Sequence, residues 1–186
     1  MSAAGEFMRL RGEALGCTRC ALAKGRTQVV FGVGNPSAQL MFVGEGPGRD
    51  EDLQGEPFVG RSGKLLDLLM QQEIGVTRDE CYIANVVLCR PPGNRDPLPA
   101  EIDACRPYLE RQIELVAPKV VVTLGNFATR TLLETAEGIR RLRGRVYPFR
   151  GVDLVPTYHP AAALRGGGEV VAEMRADFVR AKALLR

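Results

Sequence analysis

No run of apolar residues in this 186-residue chain reaches the length of a membrane span. The N-terminal segment, MSAAGEFMRLRGEALG, has no apolar core with a cleavage site behind it, so it does not read as a secretory signal. These absences predict a cytoplasmic protein without a membrane partner. Neither a linker nor an internal repeat divides the sequence, and its length suits one well-buried domain over residues 1–186. The glycine patterns that cradle dinucleotides or nucleoside triphosphates are missing too: Gly44-Glu45-Gly46-Pro47-Gly48 is too short and wrongly spaced. Histidine is nearly absent, with His159 the single copy.

Hydrophobic residues make up 45% of the chain and charged residues 25%, as in ordinary soluble globular proteins. A net charge of +3 is weak evidence for an anionic partner. The distribution says more. Arg140, Arg141, Arg143, Arg145 and Arg150 crowd into one stretch of loop-like composition. Such a stretch is either a solvated face or a contact for phosphates.

Gly- and Pro-rich punctuation separates the elements. Ala38–Val43 reads as a buried strand running into the Gly44–Gly48 turn. Ser62 is placed to cap a helix carrying Leu65, Leu66, Leu69 and Met70. Tyr82–Leu88 reads as a second strand, stopped by Pro91 and Pro92. Pro99 opens a helix that Pro107 is expected to break or kink. Lys119–Leu124 and Val152–Pro156 read as further strands, with helices near Asn126–Glu134 and Glu169–Leu185. Apolar strands alternating with helices predict an α/β protein with a parallel sheet covered on both faces. Sites in such sheets form beyond the carboxyl ends of the strands. Gly44–Asp52, Cys89–Pro99 and Tyr158–Leu164 all lie there, so they are expected to converge.

Of five cysteines, Cys17 and Cys20 form a close pair, and Cys89 and Cys105 follow far away. Disulfides are uncommon in the cytosol, so a metal is favoured over a bridge. Four thiolates suit zinc or an iron–sulfur cluster, and one close pair with two separated ligands tilts towards the cluster. Ordinary burial is the bland alternative, and it is the reading adopted for Cys81.

The strand ends carry polar and aromatic groups of interest. Glu45 lies inside a tight turn. Asp50, Glu51 and Asp52 are either a helix start or groups that orient a water. Asn85 offers a donor and an acceptor, which suits the edge of a pyrimidine. Phe58, in a Gly/Pro loop, is either loop packing or a platform for a base. His159 stands where it can donate a hydrogen bond to charge developing on a leaving group.

In order and spacing, Cys17-x-x-Cys20, Gly32–Pro36, Leu40–Gly48, Glu51-Asp52, Gly55–Gly60, Tyr82–Val87, Cys89–Asn94, Cys105, Pro118–Gly125 and His159-Pro160 resemble the family 4 uracil-DNA glycosylases. This is the iron–sulfur branch of the uracil-DNA glycosylase superfamily, and the resemblance covers nearly the whole chain. It implies a three-layer α/β/α fold with a central four-stranded parallel sheet. It implies removal of uracil from single- or double-stranded DNA as the first step of base excision repair. It makes Cys17, Cys20, Cys89 and Cys105 the ligands of a structural [4Fe–4S] cluster. Gly44, Glu45 and Gly46 then line the uracil pocket, Phe58 stacks on the base, Asn85 reads its polar edge and His159 contacts its O2.

Catalysis is assigned to Glu45, Glu51 and His159, with Glu51 and Asn94 in a supporting hydrogen-bond network. Leu164 falls where relatives present a wedge to the base stack, and Arg143 and Arg145 of the basic stretch are expected on the DNA backbone. Two departures stand out. Related families place an aspartate where this chain has Gly46, and many relatives carry lysine where it has Leu88. A monomer is expected, and no protein partner such as a sliding clamp is implied. The competing readings are a covalent uracil-DNA trap and a non-catalytic, metal-stapled nucleic-acid-binding module. The trap needs a histidine in the loop after the second strand, where Pro91–Arg95 has none.

Overall fold

A computed structural model describes residues 1–186. In chain order its elements are α1 (Ala3–Leu15), β1 (Val33–Gly34), β2 (Leu40–Gly44), α2 (Arg49–Gln54), α3 (Arg61–Leu69), β3 (Tyr82–Asn85), α4 (Pro99–Val116), β4 (Val120–Leu124), α5 (Asn126–Leu133), α6 (Ile139–Leu142), β5 (Tyr147–Phe149), β6 (Val152–Thr157), α7 (Pro160–Gly166) and α8 (Gly168–Leu184). The strands form one sheet in the order β1-β3-β2-β4-β6-β5. Its four inner strands are parallel, as the apolar runs predict. The expected four-stranded sheet needs one correction: the short strands β1 and β5 add an antiparallel edge on each side, making six.

Alternation along the strands sorts the core into two layers. Met41 and Val43 face α1, α4 and α5, together with Tyr82, Ala84 and Val121. Leu40 and Phe42 face α3, α7 and α8, with Ile83, Val120 and Val122. Every residue of β2, β3 and β4 is buried, which is the cost and signature of a sheet covered on both faces. No helix is long and apolar enough to cross a membrane.

Four local expectations are corrected. Helix α4 runs unbroken through Pro107. A proline inside a helix costs about 3 kcal/mol, but here Tyr108, Leu109, Ile113 and Val116 bury the following turns. Ser62 does not cap α3; Gly60 holds that position without a side-chain bond. The second apolar run is strand only to Asn85; beyond it Val86 N–H still bonds Gly44 O and Val87 N–H bonds Glu45 O, so the run follows the turn after β2. The basic stretch is not all loop, since Arg140 and Arg141 ride on α6.

Candidate active site

The three segments at the strand ends do converge. They surround a cavity of about 640 Å³ whose lining includes Glu45, Gly46, Glu51, Phe58, Asn85, Asn94 and His159. That volume is within the range of about 300–1,000 Å³ usual for small-molecule sites.

The floor is built by close approach. Gly44, expected to line the pocket, lies just behind its lining, ending β2 opposite Asn85 at the end of β3. A Cβ on Gly44 would lie 2.5 Å from both Asn85 Oδ1 and the Phe58 ring, so the bare glycine lets these side chains meet. Asn85 is 2% exposed, and its Oδ1 is buried with no hydrogen-bond partner. An orphaned acceptor costs about 1–3 kcal/mol, a cost that an N–H donor in the cavity removes. Phe58 is buried, as loop packing requires, yet its ring still lines the cavity. It lies 5.5 Å from the His159 imidazole, centroid to centroid, at 32°.

His159 follows β6 and caps α7. Its Nδ1 accepts from the backbone N–H of Ala161 at 3.0 Å. The neutral ring must therefore carry its proton on Nε2, which makes that nitrogen a donor. Burial, and then the nearby Arg165 charge, push the imidazole pKa down from 6.5 to about 4. Glu45 is shifted the other way: burial, with the charge of Asp96 second, raises its carboxyl from 4.5 to about 7.

Glu51 belongs to the scaffold of the cavity. Its two carboxylate oxygens accept from Gly48 N–H at 3.0 Å, Val59 N–H at 3.0 Å and Gly60 N–H at 3.2 Å. It thereby ties the turn after β2 to the loop carrying Phe58. The Gly48 N–H is consequently not free to bind a ligand. Neighbouring Asp52 is 3% exposed and accepts from Thr27 N–H at 2.9 Å, holding the segment before β1. Asn94, in left-handed backbone at φ 56°, accepts from Arg90 Nε at 2.6 Å.

The residues expected on DNA divide. Leu164 is 45% exposed on α7, and its neighbour Arg165 lines the cavity. Arg145 is exposed at the surface. Arg143 is not a free surface cation. Its guanidinium binds the fully buried Asp177 carboxylate through Nε at 2.9 Å and Nη2 at 3.0 Å. The same carboxylate accepts from Thr157 Oγ1 at 2.8 Å. Sequence reading counted this arginine with its basic neighbours because its partner lies 34 positions away. Arg150 is likewise paired, with Glu110 at 2.9 Å.

Arg95, Asp96 and Tyr158 lie within the segments expected to converge but had no role assigned, and Phe127 lies outside them; all four line the cavity. Arg95 binds Glu101 through two hydrogen bonds, 2.8 and 2.9 Å, and Glu101 also accepts from Leu98 N–H at 2.8 Å. The spacing Arg95…Glu101, with the carboxylate in the first turn of α4, was the signal available.

The four cysteines meet away from this cavity. Cys17, Cys20, Cys89 and Cys105 line one small, mostly apolar hollow between α1 and α4, with Arg19 and Arg26 at its edge. Arg26 Nη1 donates to Cys17 O at 2.6 Å and lies 3.6 Å from Cys89 Sγ. No cysteine is in a disulfide, and no three His, Cys, Asp or Glu side chains are grouped so as to hold a metal ion. The donor chemistry nonetheless fits a thiolate-bound group: four sulfurs share one hollow, with two cations to offset their charge.

Residues 31–185 match the family model of the uracil DNA glycosylase superfamily. A type-4 uracil-DNA glycosylase of Sulfurisphaera tokodaii is 46% identical over 164 residues, covering 84% of this chain and 74% of that protein. A type-4 uracil-DNA glycosylase of Thermotoga maritima is 42% identical over 173 residues, covering 91% and 90%. A type-5 uracil-DNA glycosylase of Pyrobaculum aerophilum is 31% identical over 163 residues, covering 79% and 72%.

Proposed function

The chain belongs to the uracil DNA glycosylase superfamily, and from that premise we propose how its cavity removes uracil from DNA. It is a DNA glycosylase that hydrolyses the N-glycosidic bond of deoxyuridine, the opening step of base excision repair. Residues 1–186 act as one domain. The observation that carries the mechanism is the buried, unpartnered Oδ1 of Asn85 in the same cavity as Phe58 and the His159 donor.

Uracil in a duplex is out of reach, so it is turned out of the stack at a cost of a few kcal/mol. Phe58 stacks on the extruded ring. Asn85 Oδ1 accepts the base N3–H while its amide N–H₂ donates to O4. Cytosine presents the opposite pattern on that edge and would leave both groups unpaired. As the bond from C1′ to N1 breaks, its electron pair goes to the base and negative charge collects on O2. The Nε2–H of neutral His159 stabilises that charge and needs no proton transfer to do so. A water adds its hydroxyl to C1′. Glu45, with a pKa near neutrality, orients this water and takes up its proton, while anion stabilisation supplies most of the rate. Glu51 and Asn94 hold the loops. Leu164 wedges the gap in the stack, and Arg145 contacts the backbone.

Cys17, Cys20, Cys89 and Cys105 are proposed to hold a [4Fe–4S] cluster. Bound there, it supplies a cross-link and no step of base removal. Four thiols lining one hollow support a thiolate-bound centre, and one close pair with two separated ligands favours a multi-iron centre over zinc. Covalent trapping has little support, since no histidine stands in the Pro91–Arg95 loop.

Uracil release from single- and double-stranded DNA, with iron and zinc analysis of the same preparation, tests the reading. Glu45→Gln and His159→Ala are each expected to slow release by about a hundredfold or more. Near-normal release by both folded variants would sink the assignment. A brown protein with broad visible absorption is expected, and a colourless one with stoichiometric zinc would remove the cluster alone.

A further inference from the structure

Phe58 holds its ring in the cavity from a backbone that a bulky residue rarely adopts, with φ at 54°. Something must pin it, and Arg78 does so from outside the cavity. Arg78 opens the single helical turn Arg78–Glu80 just before β3. Its guanidinium reaches back about twenty positions: Nη1 donates to Pro57 O at 2.9 Å and Nη2 donates to Phe58 O. Its Nε donates to Asp67 Oδ1 on α3 at 2.6 Å, which fixes the fork itself. Helix α3 passes against the same carbonyl, since a Cβ on Gly63 would stand 1.8 Å from Phe58 O. On the far side of Phe58, Glu51 holds the N–H groups of Val59 and Gly60.

We propose that Arg78 is a positioning residue for base stacking, clamping the Pro57 and Phe58 carbonyls so that the Phe58 ring stays in the cavity beside His159. The inference rests on the reading that Phe58 stacks on an extruded uracil. Without the fork, two carbonyls lose their donors. The peptide is then free to relieve its positive φ by rotating, and the ring leaves the cavity with it. Lysine in place of Arg78 offers a point charge and cannot span both carbonyls and Asp67.

Single-turnover uracil release and DNA affinity are measured for wild type, Arg78→Lys, Phe58→Ala and the double variant. Arg78→Lys is expected to slow release about tenfold, the lower end of what one base–aromatic stack is worth, with DNA affinity within about twofold of wild type. The double variant is expected to be no slower than Phe58→Ala, because both changes remove one interaction. Should Arg78→Lys not fold, Asp67→Ala, which removes the half-exposed carboxylate that fixes the fork, is expected to merge with Phe58→Ala in the same way. Effects that multiply in the double variant would overturn the inference. A Phe58→Ala protein as fast as wild type would instead overturn the stacking reading on which it rests.

Discussion

His159 and Glu45 line one cavity, and burial drives them in opposite directions. Each shift is also a statement about stability. His159 is harder to protonate in the fold than in the unfolded chain, so its contribution is present above pH 6.5 and is lost as the pH falls towards 4. Glu45 is harder to ionise in the fold, so its contribution is present below pH 4.5 and is lost as the pH rises towards 7. The two slopes oppose each other where they overlap, and the cavity on its own makes stability nearly level there. Single variants should expose the hidden slopes. Measured against wild type, the Tm of Glu45→Gln is expected to improve as the pH rises from 4.5 to 7. That of His159→Gln is expected to worsen as the pH rises from 4 to 6.5. Differences in Tm that stay constant over these windows would show that the two groups titrate as they do in the unfolded chain.

The elements that carry the cavity depend on a carboxylate none of whose neighbours in sequence announce it. Asp177, in the middle of α8, is fully buried and accepts hydrogen bonds from Thr157, Arg143 and Arg180. Thr157 ends β6 two positions before His159, so α8 fixes the strand end from which the imidazole enters the cavity. Asp177→Ala leaves the largely buried Arg143 with only the longer ion pair to Glu173, 3.7 Å away. It is expected to cost about 3 kcal/mol or more of stability, read as a lower denaturation midpoint at unchanged m-value. A loss below about 0.5 kcal/mol, the size of an exposed pair, would mean that solvent takes over the carboxylate's role.

This junction also marks where sequence reading stops. The four parallel strands and the convergence of the strand ends and loops that carry Glu45, Phe58, Asn85 and His159 were legible because apolar runs and Gly/Pro punctuation are local signals. Arg143, Asp177 and Arg78 were not, since charge partners separated by many positions leave no local trace. The edge strands were missed for a different reason. Val33–Gly34 is too short to show alternation, and Tyr147–Phe149 has proline at its centre.

For the whole molecule, the correction at Arg143 changes what its basic surface can do. Arg145 is exposed and is proposed to meet phosphate, whereas Arg143 is occupied within the fold. Each phosphate neutralised adds about 0.9 to the steepness with which DNA affinity falls as salt rises. Arg145→Ala is therefore expected to weaken binding at low salt and flatten the plot of log affinity against log salt by about one unit, with Tm unchanged. A slope equal to that of wild type would take Arg145 off the DNA.

The two short antiparallel strands have a bearing on crowding. A sheet that ends in a long, flat strand offers its unpaired backbone to any similar strand nearby. Here one margin is a two-residue strand containing Gly34. The other is a three-residue strand with Pro148, which has no N–H to give. Neither margin is a template for a second copy. Chains gathered on DNA are thus kept from joining their sheets edge to edge.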